Sequence, residues 1–174
     1  MMTAAALAAC AHAGAAERVF EVVYQGFYAE HDAVFEADTT LEVLITVNDL
    51  DGDGSYSHEE LVSLESGNIN YYGFCGAITC VTAFGWDAGG EPRYFASYTN
   101  QNGLDYTSST IYAGKSFTDF YQSSFGFRYD YEWTWTDATT TTITDVTPVP
   151  EPAQYGMLAA GLAGMLALGR RRRG

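Results

Sequence analysis

From Arg18 onward, apolar and polar side chains alternate with the period of two that places successive residues on opposite faces of a strand. Phe20, Val22 and Tyr24 run in one phase and Val19, Glu21 and Val23 in the other, until Gly26 interrupts. Both phases are apolar in places. Similar stretches predict strands at 33–37, 41–47, 77–84, 93–98, 106–112, 126–135 and 139–144. Turn-forming runs separate them, among them Asp87-Ala88-Gly89-Gly90-Glu91-Pro92, Thr99-Asn100-Gln101-Asn102-Gly103 and Ala113-Gly114-Lys115. Many short strands with regular turns predict a mainly β body, an antiparallel β-sandwich.

The clearest strand pattern puts Phe127, Tyr129, Tyr131, Trp133 and Trp135 on one face and Arg128, Asp130, Glu132 and Thr134 on the other. Such a face buries a large area, and core is the expected role. The alternative is a stacking platform for sugars, to which Tyr71, Tyr72, Phe74 and Trp86 could add.

One segment breaks the β pattern with chemistry of its own. Residues 49–60 read Asp-Leu-Asp-Gly-Asp-Gly-Ser-Tyr-Ser-His-Glu-Glu. Calcium takes hard oxygen ligands from a flexible loop, and this spacing resembles the twelve-residue EF-hand loop. The resemblance implies carboxylates from Asp49, Asp51 and Asp53, the sharp turn at Gly54, the backbone carbonyl of Ser55, a water held by Ser57, and a bidentate Glu60. Ser57 and Glu60 also have capping-box spacing, which predicts one short helix with Leu61 and Leu64 as its stripe and Gly67 near its stop. Upstream, residues 41–47 read as strand where an EF-hand has a helix. The expectation is therefore a single strand-loop-helix Ca2+ site that stabilises, and no paired switch.

Residues 148–174 form a second unit. Pro150-Glu151-Pro152 precedes an apolar stretch at 153–169 and then Arg170, Arg171, Arg172 and Arg173. The stretch is close to bilayer thickness, and the arginines should stay on the cytoplasmic side, leaving the rest of the chain outside the inner membrane. This order resembles the PEP-CTERM sorting tail. The resemblance implies an exosortase, a membrane-embedded cysteine protease, as processing partner, and bacteria that make exopolysaccharide as the setting. Residues 1–16 are rich in alanine, with small residues around 11–15 that suit a signal peptidase; no basic residue precedes them, so the true start is expected upstream. Leu7-Ala8-Ala9-Cys10 also resembles a lipoprotein box, although Cys10 reads first as an apolar residue of a discarded signal.

The body, 17–147, is one domain by length. Four of the eight basic residues are the tail arginines, so the remainder carries four against all 22 acidic residues, a net of −18. Nucleic acid and anionic membrane surfaces are thereby disfavoured, and divalent cations favoured. In an oxidising compartment, Cys75 and Cys80 are expected to form a small-loop disulfide, with a free-thiol pair as the alternative. Outside the signal, His31 and His58 stand in no triad or metal spacing. There is no G-x-S-x-G elbow, and Gly114-Lys115-Ser116 lacks the first glycine of a phosphate loop. The reading is a non-catalytic, calcium-binding protein of the cell surface or extracellular matrix. A carbohydrate-binding module is the alternative, and a small polysaccharide hydrolase follows it.

Overall fold

A computed structural model describes residues 17–72 and 78–148. Among these, eleven strands form one antiparallel sheet. They are β1 (Glu17–Ala29), β2 (Val34–Asn48), β3 (Tyr56–Ser57), β4 (Leu61–Ser66), β5 (Ile69–Asn70), β6 (Thr79–Trp86), β7 (Arg93–Asn102), β8 (Asp105–Tyr112), β9 (Ser116–Gln122), β10 (Arg128–Thr134) and β11 (Thr140–Asp145). The order is β3-β6-β7-β8-β9-β10-β1-β2-β4-β5, with β11 also on β1.

The sequence predicts a sandwich of two sheets; the hydrogen-bonded path instead runs unbroken through a narrow seam. β10 meets β1 only at Tyr28↔Thr134 and Ala29↔Trp133. β11 takes the same side of β1 from Phe20 to Gln25. At the far end of the path lies β3, and next to the opposite end lies β4. Only the 3-10 turn His58–Glu60 separates those two strands in the chain, so the sheet curls back on itself. Its wings face each other across one core. The ring of Phe20 lies 4.7 Å from that of Trp86, Phe27 lies 5.0 Å from Phe117, and the Tyr71 and Ser109 hydroxyls are 2.8 Å apart.

β1 shows why its sequence is apolar on both phases. Phe20, Val22 and Tyr24 are buried, and then the inward set shifts to Phe27 and Ala29. The shift coincides with a bulge between Gln25 and Phe27, where Gly26 has a φ of +82°. A side chain there would adopt a left-handed backbone that L-residues resist, and its Cβ would come within 2.8 Å of the Phe35 ring. Burial also raises the Tyr24 phenol to about 12, as expected of a hydroxyl withdrawn from water.

Three expectations change. The predicted strands 33–37 and 41–47 merge into β2. Where the capping box predicts a helix, Ser57 and Glu60 do cap each other, but the helix is a three-residue 3-10 turn that passes directly into β4. A bulge opposite Thr46 and Val47 sets Val62 apart from the ladder, so Leu61 and Leu64 both point inward although they are three residues apart. That spacing imitates a helical stripe. The aromatic face of β10 divides: Trp133 and Trp135 pack against the core, whereas Phe127, Tyr129 and Tyr131 are exposed.

The signal segment 1–16, Cys75, the apolar stretch 153–169 and the arginine cluster lie outside the described residues, and with Cys75 goes the disulfide expected for Cys80. Among the described residues, no helix is long and apolar enough to cross a membrane.

Gly26→Ala is expected to lower stability by about 1–3 kcal/mol, read as a lower urea midpoint with an unchanged m-value.

Candidate metal centre

The loop 49–55 leaves the end of β2 and returns as β3, and its acidic residues bond to its own backbone. Asp49 accepts from the Gly52 N–H through Oδ1 at 2.7 Å and from the Gly54 N–H through Oδ2 at 3.2 Å. Asp51 accepts from Asp53 N–H at 3.2 Å, and Asp53 from Ser55 N–H at 2.7 Å. The bonds of Asp51 and Asp53, each two residues on, are Asx turns, the local bonds by which aspartate competes with regular structure. Gly54 holds a φ of +76°, which lets its N–H turn back toward Asp49. As a result, Asp49, Asp51 and Asp53 each present a carboxylate oxygen within 4.8 Å of the others.

Glu60 stands apart from that trio. It is buried, with Oε1 accepting from Leu50 N–H at 2.8 Å and Oε2 accepting from the N–H and hydroxyl of Ser57 at 2.8 and 2.9 Å. The bonds from the Ser57 and Leu50 backbone hold its carboxyl below the ordinary value of 4.5. One side chain thus ties the first residues of the loop to the last. The Ser55 hydroxyl accepts from Ala88 N–H at 3.3 Å, which joins the loop to the turn after β6. Beside it a cleft is lined by Asp51, Asp53, Glu59, Phe84, Trp86 and Asp87, acidic at the lip and aromatic at the floor.

The structure therefore gathers three of the six predicted ligands and places Glu60 beneath the loop as its fastening. A second cluster has no sequence motif. His31, Asp32 and Glu36, in and after the turn between β1 and β2, present ligand atoms within 4.8 Å of one another. Its only sequence signal is a histidine beside an aspartate at a hairpin turn, and its outer partner, Trp133, is 97 positions from Glu36. The exposed tyrosines of β10 form a third feature. Tyr121, Tyr129 and Tyr131 stack in a row at centroid distances of 5.3 Å, and Tyr131 meets Trp133 at 5.7 Å.

The body ends at β11, and from there the chain enters residues 148–173, which match the family described as the PEP-CTERM protein-sorting motif. This chain carries a PEP-CTERM sorting motif. The motif is the mark recognised by exosortase, and it makes this an exported protein, anchored in the membrane at its C-terminal side before processing. The match stops short of the body. Comparison with curated proteins and with solved structures returned no match.

Glu60→Gln keeps the shape but loses an ionised acceptor, and is expected to cost about 1–3 kcal/mol in calcium-free buffer. Because the native carboxyl sits below its ordinary value, its contribution is full above the ordinary carboxylate range and drains away as pH falls through the native value. The variant's stability should accordingly fall less steeply on acidification, measured by thermal melts across pH.

Proposed function

We propose that the body of this PEP-CTERM protein is a non-catalytic, calcium-stabilised module of the bacterial cell surface or extracellular matrix. The observation that carries the reading is the convergence of the Asp49, Asp51 and Asp53 carboxylates in a loop whose spacing resembles a calcium loop. All the donors are hard oxygens, the set calcium prefers. Those three residues would hold the ion, with Ser55 through its carbonyl, Ser57 through a water, and Glu60 by turning a carboxylate oxygen away from its Leu50 and Ser57 donors. Calcium would supply positive charge to a loop whose carboxylates otherwise repel one another, and it would reinforce the link between β2, β3 and β4.

A loop joining strand to strand has no helix pair to open, so a structural role fits it better than a regulatory one. Extracellular calcium sites bind at about 0.1–1 mM. With calcium at a few times its dissociation constant, the stabilisation is on the order of 1 kcal/mol. A disulfide between Cys75 and Cys80 would add a second, oxidation-dependent restraint near β6. Exopolysaccharide or another matrix component is the proposed surrounding.

Calorimetry on the full-length chain in detergent should give one calcium per chain and a melting temperature raised by a few degrees. Asp49→Ala should abolish both effects. Equal melting of the unmutated chain with calcium and with chelator would defeat the reading.

A second reading, carbohydrate binding, is favoured by the exposed Tyr129 and Tyr131, stacked in a row with the half-buried Tyr121, since aromatic side chains left in water on a sheet face offer apolar surface to a sugar. Retention on immobilised neutral polysaccharide should drop roughly 2- to 10-fold in Tyr131→Ala. No retention of the unmutated chain on any of a panel of such polymers would exclude it.

A further inference from the structure

We propose that the turn between β1 and β2 is a second metal site, selective for a borderline divalent transition cation of the zinc class, with His31, Asp32 and Glu36 as its ligands. The site lies at the opposite end of β2 from the acidic loop and does not depend on the calcium reading.

His31 Nε2 and Asp32 Oδ2 are 3.3 Å apart, and His31, Asp32 and Glu36 each offer a ligand atom within 4.8 Å of those of the other two. Bonds of about 2.1 Å in tetrahedral geometry separate neighbouring ligand atoms by about 3.4 Å. The first pair already has that spacing. The Asp32 side chain is exposed, and its rotation toward Glu36 would draw the set together without moving the backbone.

The donor set decides the cation. An imidazole nitrogen with two carboxylates suits zinc, copper or nickel, whereas calcium calls for oxygen throughout. Three protein ligands leave the fourth position to water or another donor.

The strongest support comes from outside the turn. Glu36 Oε2 accepts from the Trp133 indole N–H at 3.2 Å and from the Thr39 hydroxyl at 2.6 Å. Both partners hold the same oxygen, so the carboxylate is oriented from behind, as ligating carboxylates are by their outer partners. The His31 ring is fixed in turn: its centroid lies 4.6 Å from Tyr131 and 5.6 Å from Trp133, edge to face with each. Two residues of β10, far away in sequence, thus orient two ligands supplied by the β1–β2 hairpin. A plain ion pair between His31 and Asp32 would need neither.

The test is a zinc titration of the full-length chain in detergent by calorimetry, with calcium held in saturating excess. One zinc per chain is expected, and copper should quench tryptophan fluorescence because Trp133 touches two of the ligands. Glu36→Gln retains an acceptor for Trp133 and should fold normally. It should weaken zinc by at least the roughly 10- to 100-fold that loss of an outer partner costs. His31→Ala should abolish binding, with His31→Asn as a replacement of closer size should the alanine variant fail to fold. His58→Ala should bind as the unmutated chain does. Absence of zinc binding, or binding that survives loss of His31, overturns the proposal. Because calcium is saturating throughout, neither result bears on the acidic loop.

Discussion

The backbone ladder between β1 and β2 carries the rest of the molecule. It runs from Glu17↔Asn48 to Ala29↔Val34, and its two outer sides take β4 and the pair β10 and β11. The core side chains Phe20, Val22, Tyr24, Val43, Ile45 and Val47 all come from it. Each fully buried side chain of this size contributes roughly 1.5–3 kcal/mol of hydrophobic stabilisation. One glycine bulge keeps this possible over so long a strand, because Gly26 re-aims the inward face where the sheet begins to curl.

The same hairpin sets out the chemistry. At one end, its turn brings His31, Asp32 and Glu36 together; at the other, β2 runs into Asp49. From Glu36 to Asp49 the chain advances 13 residues (49 − 36), which at about 3.4 Å each puts the two clusters roughly 44 Å apart along the strand. They differ in donor type as well as position, nitrogen with oxygen at one end and oxygen alone at the other. Glu60 and Trp133 play corresponding parts, each fastening its cluster to a neighbouring strand.

Most of the strands could be read from the chain because period two and turn residues are local signals. β2, β6, β7, β8, β10 and β11 all overlap stretches predicted from alternation. The acidic loop was equally readable, since its spacing lies within twelve consecutive residues. β4 was not, because a bulge gave its inward leucines a helical interval. Nor was β9, where Phe117, Phe120 and Tyr121 break the period of two and only Phe117 is buried. The division of the β10 aromatics was unreadable for a different reason: period two assigns a face, but only the curl of the sheet determines how far along a strand that face stays covered. His31 and Glu36 acquire their surroundings from β10, and no pattern within the turn announces them.

The way β11 is fastened has a mechanical side. Its last residues are locked to the start of β1: Arg18 pairs with Asp145 at 2.6 Å, Val146 N–H donates to the Val19 carbonyl at 2.8 Å, and the Thr147 hydroxyl accepts from Val19 N–H at 2.9 Å. The sorting motif begins at the next residue. While the tail is held in the membrane, any tug on the body enters at this point. Drawn along the strand, it loads the whole β1–β11 ladder in shear, every rung at once, and passes the force into the most heavily paired strand of the sheet. Drawn sideways, it meets the bonds of Thr147 and Val146 to Val19 first and then the Arg18–Asp145 pair, and must open that clasp before the ladder can unzip.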